Sequence, residues 1–166
     1  MSVKRVALLL QLLGAACARD SQRATSDADA ADRRDIAAGI AQYAAAARAV
    51  DPNASALFTA TGTLFEPGIV PIVSPDSIRA FIKSFPGVKV DSAVMAADTI
   101  EVFGGTAFAW GSYFEKLSFP GQPQSRQHGK FVMEWRRETD GKWRIERYYR
   151  VPLPESWKPP QTAAMP

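Results

Sequence analysis

The chain has 166 residues, 46% hydrophobic and 22% charged, which suits one globular domain with a real core and excludes disordered and fibrous classes. Its formal charge of +3 comes from 20 basic and 17 acidic residues, and Lys4 and Arg5 supply two of the 20. The rest is close to balanced and holds no Lys/Arg stripe of the kind that tracks phosphates, so no nucleic-acid partner is expected.

The first seventeen residues have the layout of a signal peptide. Lys4 and Arg5 precede the apolar run Val6–Leu13, which is too short to span a bilayer. Gly14, Ala15 and Ala16 then lead to Cys17, the only cysteine. The arrangement resembles a bacterial lipoprotein signal in which the lipidated Cys17 becomes the new N-terminus, although Gly14 stands where that pattern favours leucine. Cleavage after Ala18, at the small-x-small step Ala16-Cys17-Ala18, is the alternative. Both imply export, to the periplasm or onto a membrane through a lipid anchor only. Both also leave a folded domain without a thiol, which removes disulfide, zinc-thiolate and cysteine-nucleophile chemistry.

Residues 18–34 are polar and alanine-rich and are expected to be a flexible tether. From Asp35, the recurrence of Ile36, Ile40, Tyr43 and Ala47 at spacings of three and four predicts a long helix. Asp51-Pro52 offers an N-cap and a first-turn proline for a short second helix through Phe58. Thr61–Glu66 reads as a strand stopped by Pro67-Gly68. Ser74-Pro75 starts a further helix with Ile78, Phe81, Ile82 and Phe85 on one face.

The remainder is expected to be β-structure: Val88–Phe103, a turn at Gly104-Gly105, Thr106–Leu117, a loop over Ser118–Gln127 and a final hairpin. The hairpin turns at Asp140-Gly141, where both residues tolerate positive φ. Phe108, Trp110, Ser112 and Phe114 alternate onto one face, as do Phe131, Met133 and Trp135, and as do Trp143, Ile145, Arg147 and Tyr149. A proline-rich tail occupies 152–166. Helices followed by an antiparallel run, with one sheet face apolar, make an α+β design in which a curved sheet wraps the N-terminal helices into a cone.

With these elements in place, the stretch of about Ile36–Val151 resembles the nuclear transport factor 2-like superfamily, with its cystatin-like fold, and within it the SnoaL-like and ketosteroid-isomerase-like proteins. The segment carrying most of the likeness is GKFVMEWRRETDGKWRI, residues 129–145. The resemblance to the isomerases implies two site residues. Their oxyanion-hole tyrosine lies eight residues before an acid, as Tyr43 does before Asp51, and their general base directly precedes a proline, as Glu66 does Pro67. Their third catalytic group is an aspartic acid that an apolar site keeps neutral, so that it can donate a hydrogen bond. Met133 stands in its place here. Losing one such donor typically costs about a hundred- to a thousandfold in rate, which speaks against steroid isomerisation.

Each candidate has a functional and a plain structural reading. Glu66 is either a desolvated acid–base group or a strand-end carboxylate, solvated or paired with an arginine. Tyr43 either donates to a ligand oxygen or packs on the sheet with its hydroxyl in water. Strand alternation aims Arg147 inward, toward Glu66 or an anionic ligand, unless a bulge turns it out. His128, the only histidine, is expected at the rim, either as a ligand contact or as a surface residue. Trp110, Phe131, Met133 and Trp135 are core or the lining of a ligand pocket. One histidine and no structural thiol leave no ligand cluster for a metal, and no cofactor motif is present. Two functions follow: cofactor-free acid–base catalysis, of isomerase or dehydratase type, on a small carbonyl or hydroxyl compound, or binding of a small apolar or anionic ligand in a non-catalytic envelope module. The resemblance also implies a homodimer formed through the sheet's outer face. Fold alone decides among none of these.

Overall fold

The computed structural model describes residues 27–154. The leader, Cys17 and the tail from residue 155 lie outside them. Helix α1 runs over residues 27–49 and turns Ile36 and Ile40 fully into the interior, one helical turn apart. Residues 27–34, expected in the tether, therefore belong to this helix. A 3₁₀ turn at Pro52–Leu57 follows, capped by the Asp51 carboxylate accepting from the Asn53 amide at 2.9 Å. It is tighter than the α-helix expected there.

Strand β1 (Phe58–Phe65) starts three residues earlier than expected. A two-residue strand that periodicity did not reveal, β2 (Ile72–Val73), pairs with Thr63 and Leu64. Helix α2 (Pro75–Lys83) begins where Ser74 accepts from the Ser77 amide. Strands β3 (Lys89–Phe103), β4 (Thr106–Ser118), β5 (Ser125–Arg137) and β6 (Trp143–Pro152) form an antiparallel meander. Ser125–Gln127, expected in a loop, open β5. The sheet order is β2-β1-β6-β5-β4-β3, and β1 lies parallel to β6. The architecture is the expected α+β one, a curved, unclosed sheet over N-terminal helices, with two strands more than the meander.

The interior is built by complementary cross-strand pairs. On β4 the inward residues are Ala107, Ala109 and Gly111, directly opposite Trp135, Met133 and Phe131 of β5. The large β5 side chains occupy the space beneath the helices, so β4 has room only for small residues facing in. Phe108 and Trp110 consequently lie on the outer face, 37% and 36% exposed. This corrects the face assignment for β4, and Trp110 does not line an interior pocket. Phe131, Met133 and Trp135 do point inward, as solid core.

Strand β6 departs most from simple alternation. Glu134 pairs with Arg147 but Trp135 pairs with Ile145, so Glu146 is an extra residue. Ile145 and Glu146 are both buried. Glu146 is pinned by the hydroxyls of Thr59 (2.7 Å) and Thr61 (3.1 Å) and by the Arg136 guanidinium (2.9 Å). Beyond this bulge Tyr148 and Arg150 face inward, and Arg147 and Tyr149 face outward.

Candidate functional site

A cavity of about 260 Å³ lies between α1, α2 and the inner face of the sheet. Four elements deliver its polar groups. Tyr43 comes from the inward stripe of α1, one turn beyond Ile40. Glu66 sits one residue past β1, two beyond the inward Leu64, where Pro67 cannot continue the ladder. Glu115 continues the inward row of β4, and Arg150 arrives from β6 beyond the bulge. Asp51, whose carboxylate caps the 3₁₀ turn, also lines the space. Gln127 of β5 adds an amide, and the rest of the wall is apolar, with Phe81, Ile82, Phe85, Val88, Leu117 and Phe119 prominent.

Arg150 organises these groups. Its Nη1 donates to Glu66 Oε1 at 3.2 Å and its Nη2 to Glu115 Oε2 at 2.6 Å, with all three side chains largely buried. Its guanidinium lies over the Tyr113 ring, 4.3 Å from the centroid. Tyr113 has that place because Gly129 stands opposite it: a Cβ there would come within 2.7 Å of the Tyr113 ring and 2.2 Å of the Val151 carbonyl oxygen. The Gly of the Gly-Lys pair thus clears the space in which arginine and tyrosine stack.

The electrostatics follow from burial. Desolvation raises the Glu66 carboxyl above its ordinary value, Arg150 opposes the shift and Glu115 adds to it. Burial, and then the negative charge of Glu66, push the Tyr43 phenol upward, so it stays a neutral hydrogen-bond donor. Tyr43 packs edge-on against Tyr148 at 5.1 Å and Phe58 at 6.2 Å, which fixes its ring. Burial opposes the Arg150 charge, but Tyr148, Glu66 and Glu115 outweigh it and hold the guanidinium ionised. Together these groups offer a proton acceptor of raised basicity, a neutral phenolic donor and a fixed positive charge at one end of an apolar chamber. Among the described residues no three or more His, Cys, Asp or Glu side chains converge to hold a metal ion.

The structure brings Tyr43 and Glu66 to one cavity and separates them from the other candidates. Arg147 points outward and pairs with Glu134 at 2.5 Å, because the bulge reverses its side of the strand. His128 shares the outward parity of Lys130 on β5 and lies opposite Phe114, away from the cavity. Phe131, Met133 and Trp135 are packed core and do not line the cavity, and Trp110 is on the other face. Sequence reasoning missed Glu115 and Arg150. The row Ala107, Ala109, Gly111 was the available signal for Glu115, since small residues mark the crowded side of a strand. No equally local signal marks Arg150.

A family model for the SnoaL-like domain matches residues 28–149. Among solved structures, a ketosteroid isomerase-like protein from Erwinia carotovora atroseptica superposes with a TM-score of 0.66 at 20% identity, over 73% of this chain and 95% of that one. A conserved protein from Planctomyces limnophilus gives 0.66 at 21% identity, over 74% and 98%. A nuclear transport factor 2-like protein with a cystatin-like fold from Novosphingobium aromaticivorans gives 0.62 at 22% identity, over 93% and 92%. At these identities the likeness shows the fold and carries no activity across. No curated protein matches the chain.

The Glu66 shift sets a sign for stability. The native carboxyl holds its proton more readily than the unfolded one, so its contribution is fully present below the ordinary glutamate pKa and is lost as pH rises through the raised native value. Denaturant unfolding at a series of pH values is expected to show wild-type stability falling relative to Glu66→Gln across that interval. Parallel pH profiles for the two proteins would contradict the assignment.

Proposed function

This chain belongs to the SnoaL-like domain family, and on that premise we propose that it is an exported pocket protein performing cofactor-free proton transfer on a small carbonyl or hydroxyl compound. The observation carrying this reading is the convergence of Glu66 and Tyr43 on one largely apolar cavity, beside a guanidinium that holds Glu66 in place. Export rests on the leader pattern ending at Cys17.

In the proposed step a substrate carbon next to a carbonyl loses a proton to the Glu66 carboxylate. The C–H electron pair moves into the new carbon–carbon double bond as the carbonyl oxygen becomes an enolate. The Tyr43 hydroxyl donates a hydrogen bond to that oxygen. Where a carbon–carbon double bond flanks that carbon, the enolate extends across it, and return of the proton at its far end shifts the double bond and completes an isomerisation. Where a hydroxyl sits on the β-carbon, its C–O bond breaks as the enolate electrons form the new double bond, and the hydroxyl leaves as water with the proton from Glu66. Desolvation makes Glu66 a stronger base than a surface glutamate, and Arg150 keeps it ionisable. Met133 supplies no second donor, so the oxygen is held by one phenol rather than by two acids.

Incubation of the full chain with cyclohexanone and 2-tetralone in D₂O, followed by proton NMR, tests this directly. Wild type is expected to accelerate loss of the α-proton signals, and Glu66→Gln to slow that exchange about a hundredfold or more while remaining folded. Equal exchange by wild type and variant would exclude Glu66 as the base. No acceleration by wild type would favour the non-catalytic binding reading, which the direct Arg150–Glu66 contact also supports.

The outer sheet face supports a homodimer. Trp110, Val132 and Tyr149 lie opposite one another on adjacent strands, each 36–39% exposed, and Tyr149 stacks on Phe65 at 4.2 Å. This apolar row crosses four strands and suits a flat partner surface. Light scattering is expected to report twice the chain mass for wild type and a single chain for Val132→Glu; a monomeric wild type would refute the dimer.

A further inference from the structure

The cavity's charged lining is lopsided. Among the described residues, Asp51, Glu66 and Glu115 line it with one cation, Arg150. That cation is already engaged: one terminal nitrogen is on Glu66, the other on Glu115, and its face is covered by Tyr113. Only Arg150 Nε is left, buried and without a partner among the described residues. A single N–H cannot offer the two-pronged grip by which arginine holds a carboxylate or phosphate. An anionic ligand would either displace one carboxylate from Arg150 or stand unpaired beside both of them, in a poorly hydrated space where like charges repel strongly.

A positively charged ligand meets the opposite conditions. Two carboxylates share one guanidinium, so one negative charge at that end of the cavity is in excess. The opposite wall supplies aromatic faces, with Phe81 and Phe85 packed edge to face at 5.0 Å. Such rings accept the apolar body of a ligand and attract a nearby cation through their electron-rich faces.

We propose that this cavity takes a small apolar molecule bearing a protonated amine, with the ammonium group set against Glu66 and Glu115 and the body against Phe81 and Phe85. The proposal rests on the reading of the cavity as a ligand site and narrows the charge of what enters it. The carbonyl or hydroxyl at which proton transfer occurs would then belong to an amine-containing compound, and the excess carboxylate would select it over its acidic analogues.

Three matched probes test this on the full chain by titration calorimetry at neutral pH: phenethylamine, 2-phenylethanol and phenylacetate. They share a ring and a short arm and differ in charge. A charge-assisted hydrogen bond predicts that phenethylamine binds about tenfold or more tightly than 2-phenylethanol, with phenylacetate weakest. Glu115→Gln is expected to remove most of the amine's advantage over the alcohol. Should that variant fail to fold, the ranking of the three probes on wild type still decides. If 2-phenylethanol binds and phenethylamine gains nothing over it, or if phenylacetate ranks first, the charge inference is overturned and the cavity remains a ligand site. If none of the three binds, the pocket reading falls and takes the inference with it.

Discussion

Whether the carboxylates inside this cone are joined by Arg150 depends on one extra residue in β6. Without the bulge at Glu146, strict alternation from Ile145 would send Arg147 inward and Arg150 outward. The cavity would then hold Glu66 and Glu115 without Arg150 between them. The bulge is itself held by polar contacts: a buried glutamate satisfied by two threonine hydroxyls of β1 and an arginine of β5. Those contacts join β1, β5 and β6 at one point, and β1 is also the strand that delivers Glu66. The same joint therefore sets the direction of Arg150 and supports the strand that ends at its partner.

The trio at the cavity end is an arrangement in which no member can be removed cheaply. Taking a guanidinium and two carboxylates out of water carries a large desolvation cost, recovered only through close contact among them. Arg150 makes both contacts and covers its open face with Tyr113. Removing one partner of such a buried pair typically costs about 3–5 kcal/mol, because a charge is left uncompensated, whereas exposed pairs such as Arg147–Glu134 contribute little. Burial makes Glu66 hold its proton more readily than an ordinary glutamate, Arg150 opposes that shift through its charge and hydrogen bond, and Glu115 adds a smaller push in the direction of burial. The feature that fixes the site's geometry thus also tunes its base.

Much of the fold could be read from the residues because its signals are local. Ser74 and Asp51 cap the elements they were expected to start, since a short polar side chain before a proline satisfies the first free amides wherever it occurs. Gly141 adopts a φ of +78° at the hairpin turn for equally local reasons. Tyr43 and Glu66, the two positions that the resemblance to the isomerases singled out, line one cavity, although their sequence alone did not say that they would meet. The misplacements share one cause, which is that face and parity are decided between strands. Trp110 is outside because Met133 and Trp135 on the neighbouring strand fill the inside. Arg147 is outside because Glu146 found partners on β1 and β5. Neither fact is visible within a single strand, and β2 is too short to show any period at all.

A pair of double-mutant cycles on folding stability would test the role of the bulge most directly, one for Arg150→Met with Glu115→Gln and one for Arg147→Met with Glu134→Gln. Coupling well above about 1 kcal/mol is expected for the first pair, buried and in contact, and near-additivity for the second, exposed pair. Additivity of Arg150 with Glu115 would mean that Arg150 does not face the cavity, and the site described above would not exist.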